Sequence, residues 1–194
     1  MSPRAPRMVI MAGPNGSGKS TTAALLIPES IQFVNADMIA QEISGERSTT
    51  ADLRAGRLLV DTLDRLEEDK LDFAVETTLA TAKLYPRLER LQRDGYEVHL
   101  IFTWLQSPEL AVERVAGRVR MGGHHVPEET IRRRYERGLK HFFRTYIHSV
   151  DSWWMYDNSR LNDPVRIASG GRGKPIEVAK PDLWHRLESE WGQG

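Results

Sequence analysis

The chain of 194 residues contains no cysteine, which excludes disulfide staples, thiolate zinc sites and cysteine nucleophiles. It has no surplus of charge, because 27 Lys and Arg residues balance 27 Asp and Glu residues. A neutral total argues against a duplex-wrapping nucleic-acid protein or a membrane-surface binder. Long apolar runs are missing as well. The N-terminal apolar run, Met8 to Ala12, is five residues long, too short for a signal-peptide core or a membrane span, so a cytoplasmic location is expected. There is no internal repeat, long linker or low-complexity tract, and the length suits one domain over residues 1–194 with a sizeable core.

What is present begins with Gly13-Pro14-Asn15-Gly16-Ser17-Gly18-Lys19-Ser20, followed by Thr21 and Thr22. The stretch fits G-x-x-x-x-G-K-[ST] between a β-type run and a run of helix formers, the strand-loop-helix context that a phosphate-binding loop requires. Three glycines and a proline keep the loop wide and poor in side chains, so backbone N–H groups can face phosphate oxygens. The positive end of the following helix reinforces them. Lys19 adds a mobile charge for the β- and γ-phosphates. Ser20 offers a hydroxyl to Mg²⁺, with Thr21 as the neighbouring candidate if the register differs by one.

Further along, Ile31 to Val34 reads as a short strand running into Asn35-Ala36-Asp37. Strand ends line the ligand crevice of a parallel sheet, so Asp37 is expected on the side of the phosphate loop, as a general base or as an ordinary helix cap. Thr49-x-x-Asp52 opens a long helix to about Glu68 with Leu53, Gly56, Val60, Leu63 and Leu66 as its apolar stripe. Leu71 to Val75 rises into a strand that ends in Glu76-Thr77-Thr78, an acid and two hydroxyls able to bind sugar hydroxyls or a magnesium shell, or else to cap the next helix. That helix is expected to stop at Gly95, with Pro86 near its first turn. Tyr96 to Leu105 alternates as a strand and ends without an acid, which weighs against a motor-type ATPase.

Charge is unevenly spread. Residues 112–144 hold nine bases and four acids, whereas residues 46–76 hold five bases and nine acids. Ser107-Pro108-Glu109 starts a helix carrying Arg114, Arg118 and Arg120, and Pro127-Glu128-Glu129 starts another carrying Arg132, Arg133 and Arg134. Joined through Gly122-Gly123, the two helices read as a mobile lid over phosphates, for which guanidinium forks are suited; solvated surface helices are the plainer alternative. Adjacent His124 and His125 do not share a helical face and suggest a turn rather than a metal site. Asp151 to Ser159 reads as a strand and its exit loop, with Asn158 and Ser159 where an adenine would be met. Gly170 to Gly173 reads as a hairpin turn between Val165–Ala168 and Ile176–Val178.

The sequence resembles the zeta toxin family of P-loop kinases. The resemblance lies in the Gly13 to Thr21 loop, Asn35-Ala36-Asp37, Val75-Glu76-Thr77-Thr78, Gly95-Tyr96-Glu97-Val98, the Arg114 to Arg120 repeats, Gly122-Gly123-His124 with Val126-Pro127, the Arg132 to Tyr135 cluster and Tyr156-Asp157-Asn158-Ser159. It implies an α/β fold: a P-loop kinase-like three-layer sandwich with a mostly parallel five- or six-stranded sheet and a helical arginine-bearing lid at about residues 108–146. It also implies an ATP- and Mg²⁺-dependent kinase whose relatives include kinases of UDP-N-acetylglucosamine. Its substrate would be a small molecule such as a nucleotide sugar, and its protein partner an antitoxin. Carried over, Lys19 and Ser20 hold phosphate and magnesium, and Asp37 activates the acceptor hydroxyl. Glu76 serves substrate or magnesium, with Thr77 and Thr78 beside it. Arg118 and Asn158 lie toward the nucleotide, and Arg120 with Arg133 or Arg134 are the lid arginines. A non-kinase P-loop ATPase switch and a polynucleotide kinase are the competing readings.

Overall fold

The computed structural model describes residues 4–35, 49–160 and 163–193, the side chains of 49–56 excepted. Asp37 therefore falls outside what it describes, as do the side chains of Leu53 and Asp52. In chain order the elements are β1 (Arg7–Ala12), α1 (Lys19–Leu26), β2 (Gln32–Val34), α2 (Thr49–Glu68), β3 (Phe73–Thr77), α3 (Tyr85–Arg93), β4 (Glu97–Trp104), α4 (Pro108–Arg120), α5 (Glu128–His141), β5 (Ser152–Asp157), β6 (Val165–Gly171), β7 (Lys174–Val178) and α6 (Pro181–Trp191).

The strands form one sheet in the order β2-β3-β1-β4-β5-β6-β7. The first five run parallel and the last two antiparallel. Five or six strands were expected from the sequence; among the described residues there are seven. The hairpin expected at Gly170–Gly173 joins β6 to β7, and because β6 pairs with β5 both strands extend the sheet at its edge.

β1 lies between β3 and β4 and is covered on both faces, as a central parallel strand must be. Its alternation divides the core. Met8, Ile10 and Ala12 join the larger cluster with Val98, Leu100, Phe102, Leu88, Leu139 and Phe142. Val9 and Met11 turn to a thinner layer with Ala23 of α1, Ala74 and Ile101. The alternation read from the sequence in β4 is thus the division between the two layers. Trp153 stacks on Trp184 of α6 at 5.4 Å and meets Phe142 edge-on at 5.6 Å. Each such pair adds about 0.5–1.5 kcal/mol beyond the area it buries.

Helix boundaries follow their local chemistry. Ser107 Oγ accepts from Leu110 N at 3.2 Å and caps α4, with Pro108 in the first turn. At the other end of α4, Gly123 N donates to Arg118 O and Gly122 N to Val119 O, the paired bonds of a Schellman stop. After α5 the backbone widens into a π turn, Phe142–Tyr146, whose Phe142, Phe143 and Tyr146 are buried in the main core.

Register places the functional edge. Ala12 pairs with Thr77 on one side and with Phe102 on the other, and Val34 pairs with Val75. The phosphate loop, Asn35, the Glu76–Leu79 segment and Leu105 consequently leave the sheet from one end.

Candidate nucleotide and phosphoryl-transfer site

The Gly13–Ser20 loop is held from beneath. Thr103 Oγ1, at the end of β4, donates to Ala12 O at 3.1 Å and lies 2.7 Å from Ser17 Oγ. Asn158 Nδ2 donates to Ser17 O at 2.6 Å. A Cβ on Gly18, whose φ is 76°, would lie 2.6 Å from that same nitrogen, so both the backbone conformation and the latch require glycine there. Gly18 is the N-cap of α1 and makes no side-chain cap bond, and no acid occupies the first turn. The first amides of α1 and the positive end of its dipole are therefore directed at an anion, the arrangement of a phosphate cradle.

Asn158, expected from the sequence to lie near an adenine, is buried as this latch. Its N donates to Trp104 O, its O accepts from Arg114 Nη1 at 2.9 Å, and its Oδ1 is buried without a hydrogen-bond partner. Arg114 also donates to Ser159 O. Burial pushes its guanidinium pKa down, the nearby Asp157 and Glu113 oppose that, and it remains a cation that braces the β5 exit against α4.

Lys19 and Ser20 converge on Glu76. Lys19 Nζ donates to Pro14 O at 3.1 Å and lies 3.5 Å from Glu76 Oε1. Ser20 Oγ donates to Glu76 Oε2 at 2.7 Å, and Asn35 Nδ2 donates to the same oxygen at 2.8 Å. It is the hydroxyl of Ser20, not that of its neighbour Thr21, that bonds the carboxylate. The bond from Asn35 brings the exit of β2 to the same point.

The other expected residues are spread more widely. Thr77 Oγ1 accepts from Leu79 N at 3.1 Å, and Thr78 O lies beneath α5, where a Cβ on Gly138 would be 2.5 Å away. Arg134 Nη1 reaches Asn15 Oδ1 of the phosphate loop at 3.3 Å. Arg133 is exposed beside Glu129 and Thr130, and Arg132 pairs with Glu109 and Glu128 on the surface. Arg118 folds back on its own helix end and donates to His124 O, with its Nε buried and unpartnered. Arg120 is exposed. Sequence reasoning gave no role to Thr103, and it placed Arg114 among the lid arginines over phosphates, whereas its guanidinium donates to the carbonyls of Asn158 and Ser159. It named Asn35 as part of the Asn35-Ala36-Asp37 strand exit, with no role of its own. Nothing local marks these residues, because their partners lie 91, 44 and 41 positions away.

Two open concavities lie elsewhere. One of about 450 Å³, bounded by Tyr85, Gln92, His148 and Arg172, sits by the N-terminal ends of β4 and β5, remote from the phosphate loop. Backbone amides, a lysine, a carboxylate and an arginine around one loop have a clearer chemistry than that open polar hollow, so the phosphate loop is the candidate site.

Solved structures share the fold. A chain of the AvrRxo1-ORF1:-ORF2 complex determined with ATP superposes with a TM-score of 0.74 at 15% identity, over 94% of this chain and 63% of that one. This chain therefore spans less than two thirds of that relative's length. A chain from the PezAT chromosomal toxin-antitoxin system of Streptococcus pneumoniae gives 0.65 at 19% identity, over 100% of this chain and 82% of that one. In sequence, an uncharacterized protein of Haemophilus influenzae is 29% identical over 130 residues, 66% of this chain and 92% of the relative. Among the described residues no helix is long and apolar enough to cross a membrane. The profile of the Zeta toxin family matches residues 1–160, which hold the loop, Glu76, Arg134 and Asn158, and the chain belongs to that family.

Proposed function

We propose that this chain is an ATP-dependent kinase that transfers the γ-phosphoryl group to a hydroxyl of a sugar or nucleotide sugar, UDP-N-acetylglucosamine-like. The observation that carries the reading is the meeting of Lys19, Ser20 and Glu76 at the mouth of the phosphate loop, with Arg134 opposite at Asn15. A phosphoryl group in flight needs positioning and charge stabilisation more than covalent help, and those are the resources gathered here.

In this reading the amides of Gly16 to Ser20 and the Lys19 ammonium hold the β- and γ-phosphates. Ser20 and Glu76 are hard oxygen donors suited to magnesium. Among the described residues no cluster of three His, Asp or Glu side chains is arranged to hold a metal, which fits an ion completed by phosphate oxygens and water rather than by a protein cage. Such an ion supplies charge neutralisation at the phosphates. Arg134, already at the loop, stabilises the equatorial oxygens. Asp37, outside the described residues, is two positions beyond Asn35 and accepts the proton of the attacking hydroxyl. Thr77 and Thr78 border the acceptor. An antitoxin protein that covers this edge is the partner that toxin relatives suggest.

The test is incubation with ATP, magnesium and a panel of nucleotide sugars, free sugars, nucleosides and oligonucleotides, read by mass. A phosphate gain on a nucleotide sugar is expected. A gain confined to oligonucleotide 5′ ends would replace the reading with a polynucleotide kinase, and ATP hydrolysis with no acceptor gaining phosphate would replace it with an ATPase switch.

A further inference from the structure

The residue after Thr78 is in an uncommon conformation. Leu79 has φ 53°, the left-handed region, although it is not glycine, and its side chain is 1% exposed. A branched residue is strained there and persists only where its surroundings over-determine it. Three contacts do so. Thr77 Oγ1 accepts from Leu79 N at 3.1 Å, His141 Nδ1 is 2.5 Å from Leu79 O, and Gly138 lies so close under Thr78 O that no side chain would fit. Because a carbonyl only accepts, Nδ1 of His141 carries the hydrogen.

His141 belongs to a helical face that touches the whole functional edge. Arg134, Gly138 and His141 follow i, i+4, i+7 spacing. The first meets the phosphate loop at Asn15, and the other two meet the segment leaving β3. Tyr135 adds a bond of 2.6 Å from its hydroxyl to Leu105 O at the exit of β4. Immediately after His141 the helix opens into the π turn, a deformation that recurs at functional sites.

We infer that His141 is a positioning residue: through its bond to Leu79 O it holds the Thr77–Leu79 segment, and with it the Glu76 carboxylate, in the orientation that meets Ser20. It touches no phosphate and no acceptor. Its effect passes along three residues of backbone from Leu79 to Glu76. The inference rests on the reading of Ser20 and Glu76 as the magnesium-facing pair, and it makes α5 one strut that sets the donor loop and the carboxylate together.

The experiment is a magnesium chloride titration of the binding of a fluorescent, non-hydrolysable ATP analogue to the full chain, with the melting temperature recorded for each variant. His141→Leu, which lacks the donor, and Gly138→Ala, whose methyl displaces Thr78 O, are each expected to raise the magnesium concentration for half-maximal binding by about tenfold, the lower end for loss of an outer-shell partner. His141→Gln, which restores an N–H donor, is expected to recover most of that shift. Folded His141→Leu and Gly138→Ala proteins that titrate like the wild type would overturn the inference. Loss of the fold in both would also overturn it, since the contact would then serve stability alone. Failure of the underlying site looks different: the wild type would bind the analogue without magnesium dependence, or Lys19→Ala would bind it unchanged.

Discussion

Ser20 Oγ and Glu76 Oε2 are 2.7 Å apart although 56 residues separate them in sequence. The bond joins the first turn of α1 to the end of β3, and Lys19 approaches the other carboxylate oxygen at 3.5 Å. In the proposed reading, a cation arriving at this pair would replace the one hydrogen bond with two oxygen ligands.

Glu76→Gln keeps the side-chain shape and removes the charge. Transfer is expected to fall about 10²–10³-fold, the scale for losing one preorganised electrostatic partner, while nucleotide binding without magnesium is retained. Single-turnover rates across a magnesium series measure it, and an unchanged rate at saturating magnesium would remove Glu76 from the site.

Arg134→Ala is expected to lower transfer about 10³-fold, in the range for an arginine acting on transferring phosphate. Arg133→Ala should stay within about threefold. Arg132→Ala gives up only exposed ion pairs to Glu109 and Glu128, which solvent screens, and should likewise leave transfer nearly unchanged. Steady-state kinetics of the three variants decide the register: equal losses at Arg133 and Arg134 would contradict it.

For Asp37→Asn the expected pattern is unchanged ATP binding with transfer lowered by about two to four decades, as when a general base is removed. Calorimetric ATP titration beside a transfer assay separates the two. Retained transfer would end the general-base assignment.

Acid should weaken the fold through Asp72 and Asp151. Burial pushes both carboxyls up. For Asp72, bonds from Arg7 N, the Arg7 side chain and Arg4 outweigh it; for Asp151, bonds from Val98 N and Gln92 with the charge of Arg172 do so. Both end below the ordinary carboxylate value. The unfolded chain then takes up protons first, so the stability these groups contribute is full above about pH 4 and is lost as pH falls through their lower folded values. Asp151→Asn should therefore lower the melting temperature at pH 7 by more than at pH 3. A gap of equal size at both values would contradict the linkage.

Much of this was legible in the residues. The phosphate loop is a contiguous pattern with fixed chemistry, Ser107 announces its helix, and period-two alternation in β4 assigned its faces to two core layers. What stayed hidden depends on separations that no local pattern encodes. Thr103 looks like an ordinary strand residue until Ser17 is brought beside it, and Asn158 could only be placed near a nucleotide, not beneath its loop. Arg133 and Arg134 fit the phosphate equally well on paper; the helical phase fixed by buried Ile131 and Tyr135 turns Arg134 to the loop and leaves Arg133 exposed. The strand count came out low because a Gly-rich hairpin carries no mark of the sheet it will extend.

The stack of Trp153 on Trp184 bears on where the folding unit ends. Family similarity stops at residue 160, yet β6 completes the pairing of β5, and α6 covers a tryptophan that is 1% exposed. A protein truncated at that point would keep every phosphate-loop residue while presenting an open strand edge and a bare indole to water, the features that favour aggregation. The family match and the packed core end at different places in this chain, so fragments should be drawn to include residues up to Trp191.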